Sequence, residues 1–270
     1  MTRLLHLSDL HFGRTRPELL APLIQTARDL APDATIVSGD LTQRAREWQF
    51  EEAANLMASL PQPVLVVPGN HDVPLDRPLQ RFLRSFACYR EEISADLEPM
   101  LDLPGMRVIG MNTADPFAWE RGKVRRRSLA LAVKRLTEAP EGVLKVVVMH
   151  HPLYHPPGAT KEPMPNADWA AKGLADAGAD LVLAGHLHAW GAAAEERREG
   201  RRKMLLVQAG TGTSTRVRGE DNDFNVIDLV TSQPAHLRVT RYIATAGGDG
   251  FAPGPHSEFV EAEEGWQRIE

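Results

Sequence analysis

The residues of this chain that could do chemistry fall in five short groups: Asp9 with His11, Asp40, Asn70 with His71 and Asp72, His150 with His151, and His186 with His188. Each group directly follows a short apolar run. Asp9 and His11 are two residues apart, so an extended backbone sends both side chains to one side, where a carboxylate and an imidazole can hold one ion. His186 and His188 repeat that spacing behind Gly185. Taken singly, each group reads equally well as turn residues or a core histidine. Five strand ends repeating one pattern weigh against that reading. Oxygen and imidazole donors in this number exceed the needs of one ion, whereas two ions sharing a carboxylate, about 3.5–4 Å apart, suit in-line displacement at phosphorus. No thiolate joins the groups, which argues against a structural zinc of the finger type and leaves Mn, Fe, Co, Ni or Zn.

Strands must position these groups. Pro63–Val67 is a Val-rich run that stops at Pro68-Gly69, the pattern of a parallel strand buried on both faces. Leu4–Leu7, Ala34–Val37, Leu144–Met149 and Asp180–Leu183 read the same way, and Arg107–Met111 is a further strand ending in Asn112-Thr113. Helical periodicity over Glu18–Ala31, Arg46–Ser59, Ser128–Leu136 and Trp169–Ala177 supplies the crossovers. In such α/β sheets ligands bind beyond the strands' carboxyl ends, where all five groups lie.

Between them, Val73–Met106 reads as a helical insertion whose Phe82, Phe86 and Tyr89, at helical spacing, are packing residues. Arg125–Arg127 reads as a solvated face. After His188, Trp190–Glu196 and Lys203–Gln208 form a predicted hairpin around a charged tip, Arg197–Arg202. Gly210–Arg218 is rich in Gly, Thr and Arg, and Asn225–Val230 and Leu237–Ala244 are strands. Residues 245–270 read as a Gly/Pro-rich arm, flexible over Gly247–Pro255, with Phe259 and Trp266 docking back on a single domain spanning 1–270.

Composition narrows the class. With 43% hydrophobic and 25% charged residues the chain is ordinary globular material, and a net charge of -5 excludes the global basic field of a nucleic-acid-coating protein. One cysteine, Cys88, cannot close an internal disulfide. No apolar run reaches 18 residues, so no membrane partner is expected. Only Met1, Thr2 and Arg3 precede the first strand, and a cleaved leader would remove Ser8 and Asp9, so the expected location is cytoplasmic.

The blocks D-x-H at Asp9–His11, G-D at Gly39–Asp40, G-N-H-D at Gly69–Asp72, H-H-P at His150–Pro152 and G-H-x-H at Gly185–His188 together resemble the calcineurin-like metallophosphoesterase family, in its order and spacing. The resemblance implies an α/β fold, a four-layer α/β/β/α sandwich with two mixed central sheets. It also implies two divalent ions: Asp9, His11 and His188 on one, Asn70, His150 and His186 on the other, and Asp40 bridging. The implied reaction is attack of a metal-bound hydroxide on phosphorus. His71 would protonate the leaving group, Asp72 would orient that imidazole, and His151 and Tyr154 are placed to touch substrate or to stand behind the ligands, with packing the expected role of Tyr154.

Gly39–Gln43, G-D-L-T-Q, looks most like the bacterial cyclic-nucleotide and glycerophosphodiester phosphodiesterase branch, and departs from protein phosphatases, which show G-D-x-x-D-R-G and G-N-H-E. A small-molecule phosphodiester is therefore the expected substrate. Ser8–Gly13 is also similar to the DNA-repair nuclease branch, so a nuclease is the second reading and a phosphomonoesterase the third. A non-catalytic module on this fold would have lost ligands, and none is missing. The Val73–Met106 insertion is left with two roles, a cap over the site or a homodimer contact.

Overall fold

The structure is a computed structural model that describes residues 1–156, 159, 161–194, 203–217, 219–263 and 265–269. The chain opens with β1 (Thr2–Leu7), α1 (Leu20–Leu30), β2 (Ala34–Val37), α2 (Glu47–Ser59) and β3 (Val64–Val66). Two short helices, α3 (Pro78–Leu83) and α4 (Ala87–Glu92), lead to β4 (Met100–Leu103) and β5 (Met106–Gly110). Next come α5 (Arg126–Thr137), β6 (Leu144–Val148), α6 (Ala167–Asp176), β7 (Leu181–Ala184), β8 (Gly191–Ala194) and β9 (Leu205–Gln208). The chain finishes with β10 (Asp223–Ser232), β11 (Ala235–Ala244), β12 (Phe251–Ala262) and β13 (Gly265–Arg268).

One sheet has the order β13-β12-β11-β10-β1-β2-β3 and the other β4-β5-β6-β7-β9-β8. Both are mixed. β1, β2 and β3 run parallel while β10 pairs antiparallel to β1, and β5, β6, β7 and β9 run parallel between antiparallel β4 and β8. Three apolar layers arise from the alternation of side chains along each strand. Leu5, Leu7, Val37 and Val66 pack with Leu23, Phe50 and Ala53 of α1 and α2. Their neighbours Leu4, Ile36 and Leu65 turn the other way and meet Val108, Val146 and Leu183 of the second sheet. Val147 and Val182 then face Leu129, Ala132, Ala170 and Leu174 on α5 and α6. The result is the four-layer α/β/β/α sandwich.

Three stretches differ from the sequence-based reading. The insertion holds a strand, β4, as well as helices, and its aromatic stripe is broken because α3 stops before α4 begins. Phe86 and Tyr89 are buried, but Phe82 is 45% exposed and lies 5.1 Å from the ring of Phe117. Gly247–Pro255 is not a loop throughout, since β12 starts at Phe251 and pairs with β11 from Ala244 to His236. β13 covers β12 only over Phe259–Ala262, so Pro253 and Pro255 sit on an open edge, where a missing N–H is tolerated. The tip of the β8–β9 hairpin, Arg197–Arg202, lies outside the described residues. Among the described residues no helix is long and apolar enough to cross a membrane.

Phe259 and Trp266, on the last two strands, are fully buried in the layer between the sheets. We predict that Trp266→Ala lowers unfolding free energy by about 3–5 kcal/mol, read as the shift of a urea midpoint. A change within error would show that the terminal strands are a dispensable appendage.

Candidate metal centre

The ends of β1, β2, β3, β6 and β7 converge on the seam between the two sheets. Asp9, His11, Asp40, His186 and His188 all have positive φ, from 51° at His11 to 74° at His186. Side chains with a Cβ adopt that region seldom, and its concentration at one site marks backbone held by its surroundings. Two glycines of the motifs are needed for approach. Gly39 has φ 91°, and a Cβ there would lie 2.8 Å from Gly69 N and 2.9 Å from His150 Nδ1. A Cβ on Gly185 would lie 1.8 Å from Ser8 Oγ and 2.6 Å from Asp9 Oδ2.

Two sets of donor atoms result. Asp9 Oδ1 is 3.1 Å from His188 Nε2 and 3.5 Å from His11 Nε2, and the two imidazole nitrogens are 3.2 Å apart. His150 Nε2 is 3.2 Å from Asn70 Oδ1 and 3.3 Å from His186 Nδ1. Asp40 Oδ2 stands between the sets, 3.7 Å from His11 Nε2 and 3.3 Å from His150 Nε2. Donors at ~2.1 Å from a common ion, in tetrahedral or octahedral arrangement, lie about 3.0–3.4 Å apart, close to these spacings. Asp9 Oδ1 and Asp40 Oδ2 are fully buried with no hydrogen-bond partner. Orphaned carboxylate oxygens in dry surroundings are costly unless a cation meets them, so these residues fit a pair of divalent ions.

A second layer of contacts aims the donors. His150 Nδ1 lies 2.8 Å from Ser38 O and His188 Nδ1 lies 2.8 Å from Arg216 O, so each Nδ1–H donates to a carbonyl and leaves Nε2 for a metal. The other oxygen of Asp9 accepts from Ser8 Oγ at 2.7 Å and His186 N at 2.8 Å, and that of Asp40 accepts from His71 N at 2.8 Å. Burial opposes the charge on both carboxylates, but the surrounding histidines hold them well below the usual carboxylate range. Burial pushes His11 and His186 down, towards the neutral form that a ligand needs.

Of the predicted non-ligand residues, His71 stands beside the centre, its ring edge-on to His11 at 4.8 Å between centroids. Its Nδ1–H donates to Gln43 O at 2.9 Å. That contact corrects the role expected of Asp72, whose carboxylate does not orient the imidazole. It accepts instead from the N–H groups of Leu41 at 3.2 Å, Thr42 at 2.9 Å and Gly69 at 2.9 Å, tying the β2 and β3 loops together. Burial first and Asp40 second raise this carboxyl to about 7.

The structure places His151 behind the ligands, one of its two expected positions, and not at the substrate. It is buried, its Nδ1 2.8 Å from Thr113 Oγ1, and its ring packs behind those of His150 and His186 at 4.8 Å and 4.6 Å. One of its nitrogens can join their donor group, within 4.8 Å. Tyr154 packs on the outer face of the second sheet, as expected. Sequence reasoning passed over Arg216, whose Nη1 donates to His71 Nε2 at 2.9 Å, and Lys161, whose ammonium donates to His186 O. The Arg content of Gly210–Arg218 is the one signal that pointed to either.

Burial opposes a charge on His150, yet Asp40 raises that imidazole to about 9. At pH 7 its Nε2 therefore carries a proton where an ion would bind, and binding must displace it. We predict release of about one proton per ion at this position, with affinity weakening about tenfold for each pH unit below 9. Calorimetric Mn²⁺ titrations at pH 7 in buffers of different ionisation enthalpy read the number directly. Zero release would show that the imidazole of His150 is already neutral at pH 7 before an ion binds.

A family model described as calcineurin-like phosphoesterase matches residues 2–190, more than half of the chain. Among curated proteins, a glycerophosphodiester phosphodiesterase of Enterobacter lignolyticus is 32% identical over 26% of this chain and 29% of its own length. A probable cyclic nucleotide phosphodiesterase of Synechococcus is 26% identical over 49% of this chain and 47% of its own. The chain thus spans less than half the length of either relative. Among solved structures, the purple acid phosphatase of yellow lupin superimposes with a TM-score of 0.70 at 14% identity, over 94% of this chain and 53% of that one. The Plasmodium protein GAP50, the anchor in the inner membrane complex, gives a TM-score of 0.61 at 14% identity, over 91% and 85%. These two likenesses concern the fold, whereas the family match covers every candidate ligand from Asp9 to His188: the chain belongs to the calcineurin-like phosphoesterase family.

Proposed function

We propose that this protein hydrolyses a small-molecule phosphodiester with two divalent ions, one held by Asp9, His11 and His188, the other by Asn70, His150 and His186, with Asp40 shared. The observation that carries this reading is the position of Asp40 Oδ2, an orphaned oxygen between two donor sets. The names of the two curated relatives, both phosphodiesterases, support the diester over the monoester.

When bound, the ions would supply Lewis-acid neutralisation of phosphate charge and a more acidic water. The chain's own residues do the rest. Asp9 and Asp40 stay ionised at neutral pH and fix the two positions relative to each other. Asn70 contributes a neutral oxygen, so the second set carries less negative charge than the first. His71 is the residue placed to meet a leaving group. Burial lowers it to about 4, and with its Nδ1–H on Gln43 O and its Nε2 accepting from Arg216, it is neutral here. Donation to a departing oxygen requires Nε2 to be released by Arg216 and protonated.

The test is the ratio of kcat/KM for bis(p-nitrophenyl) phosphate over p-nitrophenyl phosphate, on metal-stripped protein reloaded with Mn²⁺. A ratio well above one is expected, and a ratio well below one would make the protein a monoesterase. Asp40→Ala and Asn70→Ala are expected to lose turnover while keeping the native circular dichroism spectrum. An active Asp40→Ala variant would end the shared-carboxylate mechanism.

A further inference from the structure

Arg216 lies in the Gly210–Arg218 segment, to which the metal ligands give no role. Its backbone is pinned. Gly212 N donates to Ser8 O at 2.9 Å, Arg16 N to Thr213 O at 2.7 Å and Thr215 N to Arg14 O at 2.7 Å, which fastens the segment along the loop that carries Asp9 and His11. The carbonyl of Arg216 accepts from His188 Nδ1–H. From that anchor the partly exposed side chain reaches His71, with Nη1 donating to Nε2 at 2.9 Å. A permanent cation therefore stands beside the centre, in contact with a site side chain that is not needed as a ligand.

A neutral imidazole nitrogen is a weak partner for a guanidinium. A phosphoryl oxygen is a stronger one, because the bond is charge-assisted and can be bidentate. We propose that Arg216 is a substrate-binding residue: a phosphoryl oxygen of the bound substrate takes the guanidinium over from His71. One N–H···N bond breaks, one or two N–H···O bonds form, and no proton moves. The exchange leaves His71 Nε2 open to take up the proton that it would then donate to the leaving group, so substrate binding removes one of the two obstacles to that donation. This inference rests on the phosphodiesterase reading and extends it to a substrate contact beyond the ligands. The oxygen has two sources, the reacting phosphate itself or a second phosphate in a diphosphate-linked substrate.

The experiment compares wild type with Arg216→Gln and Arg216→Lys, all loaded with Mn²⁺, on bis(p-nitrophenyl) phosphate and on a dinucleoside diphosphate. Calorimetry with inorganic phosphate gives a readout independent of turnover. Removing the guanidinium is expected to raise KM for bis(p-nitrophenyl) phosphate and the Kd of phosphate by about 10-fold or more, with a smaller change in kcat. Lys should fall between, since it keeps the charge and loses the fork, and added guanidinium ion should restore part of the loss in Arg216→Gln. An effect confined to the dinucleoside diphosphate would assign the oxygen to a second phosphate. Unchanged KM and unchanged phosphate Kd overturn the proposal, as does a loss in kcat alone that guanidinium does not rescue, which would be a structural effect. If wild type hydrolyses neither ester but its phosphate Kd still depends on Arg216, the anion site stands and the phosphodiesterase reading falls.

Discussion

Two carboxylates buried away from water at the seam of two sheets are the constraint to which the rest of this structure answers. Asp9 and Asp40 are both fully buried. Burial alone would neutralise them. The histidines around them hold both well below the usual carboxylate range, so the carboxylates and imidazoles of the seam are positioned by one another as well as by packing. Asp40 is the most connected of the group. Its carbonyl accepts from His11 N at 3.0 Å, one carboxylate oxygen accepts from His71 N, and the other faces His11 and His150. One side chain therefore fixes loops from three strands and from both sheets. Cations bound at this place would relieve the repulsion between the two buried anions, which would make folding and metal binding one free-energy problem.

That demand accounts for the backbone. To turn a side chain back into the seam immediately after a buried strand, the chain must reverse within one or two residues, and five of the seven proposed ligands do so with positive φ. The strain is carried by neighbours that cannot shift: Gly39 against Gly69, Gly185 against Ser8 and Asp9, and the Asp72 carboxylate gripping three N–H groups. The aspartate of G-N-H-D is thus a clamp on the loops that hold Asp40 and Asn70. Burial and Asp40 raise its pKa although those three N–H bonds act to lower it, and it has no contact with the imidazole beside it in sequence.

What the sequence makes legible divides along the same line. Buried parallel strands leave continuous Val-rich runs, and a polar cluster after such a run is visible without a structure, so the central strands and every candidate ligand could be read from residue order. Partners that meet through space leave no such trace. The pairing of Asp72 with backbone N–H groups, the burial of His151 behind His150, and the reach of Arg216 to His71 all depend on loop conformation. The C-terminal strands escaped for another reason. Gly254, Pro253 and Pro255 argue for a loop by local propensity, but a strand edge with no partner tolerates them, and the burial of Phe259 and Trp266 outweighs their preference.

The family match ends at residue 190, and the C-terminal third of the chain completes both the fold and the site. β10 pairs with β1 and extends the first sheet, while the segment before it lies along the β1 loop and brings Arg216 to His71. The candidate ligands therefore come from the part of the chain that the family model matches, and the cation beside them from the part that follows it. Metal ligands are confined by coordination geometry, which leaves little freedom for any phosphoester. A substrate's remaining groups meet only the loops around the ions. A permanently charged side chain, pinned by its own backbone to a ligand yet able to trade an imidazole for a phosphate, is suited to distinguish one phosphoester from another, because it acts on binding without altering the donor set. On this view selectivity within the fold is a property of the segment between β9 and β10, and the chemistry is a property of the strand ends that precede it.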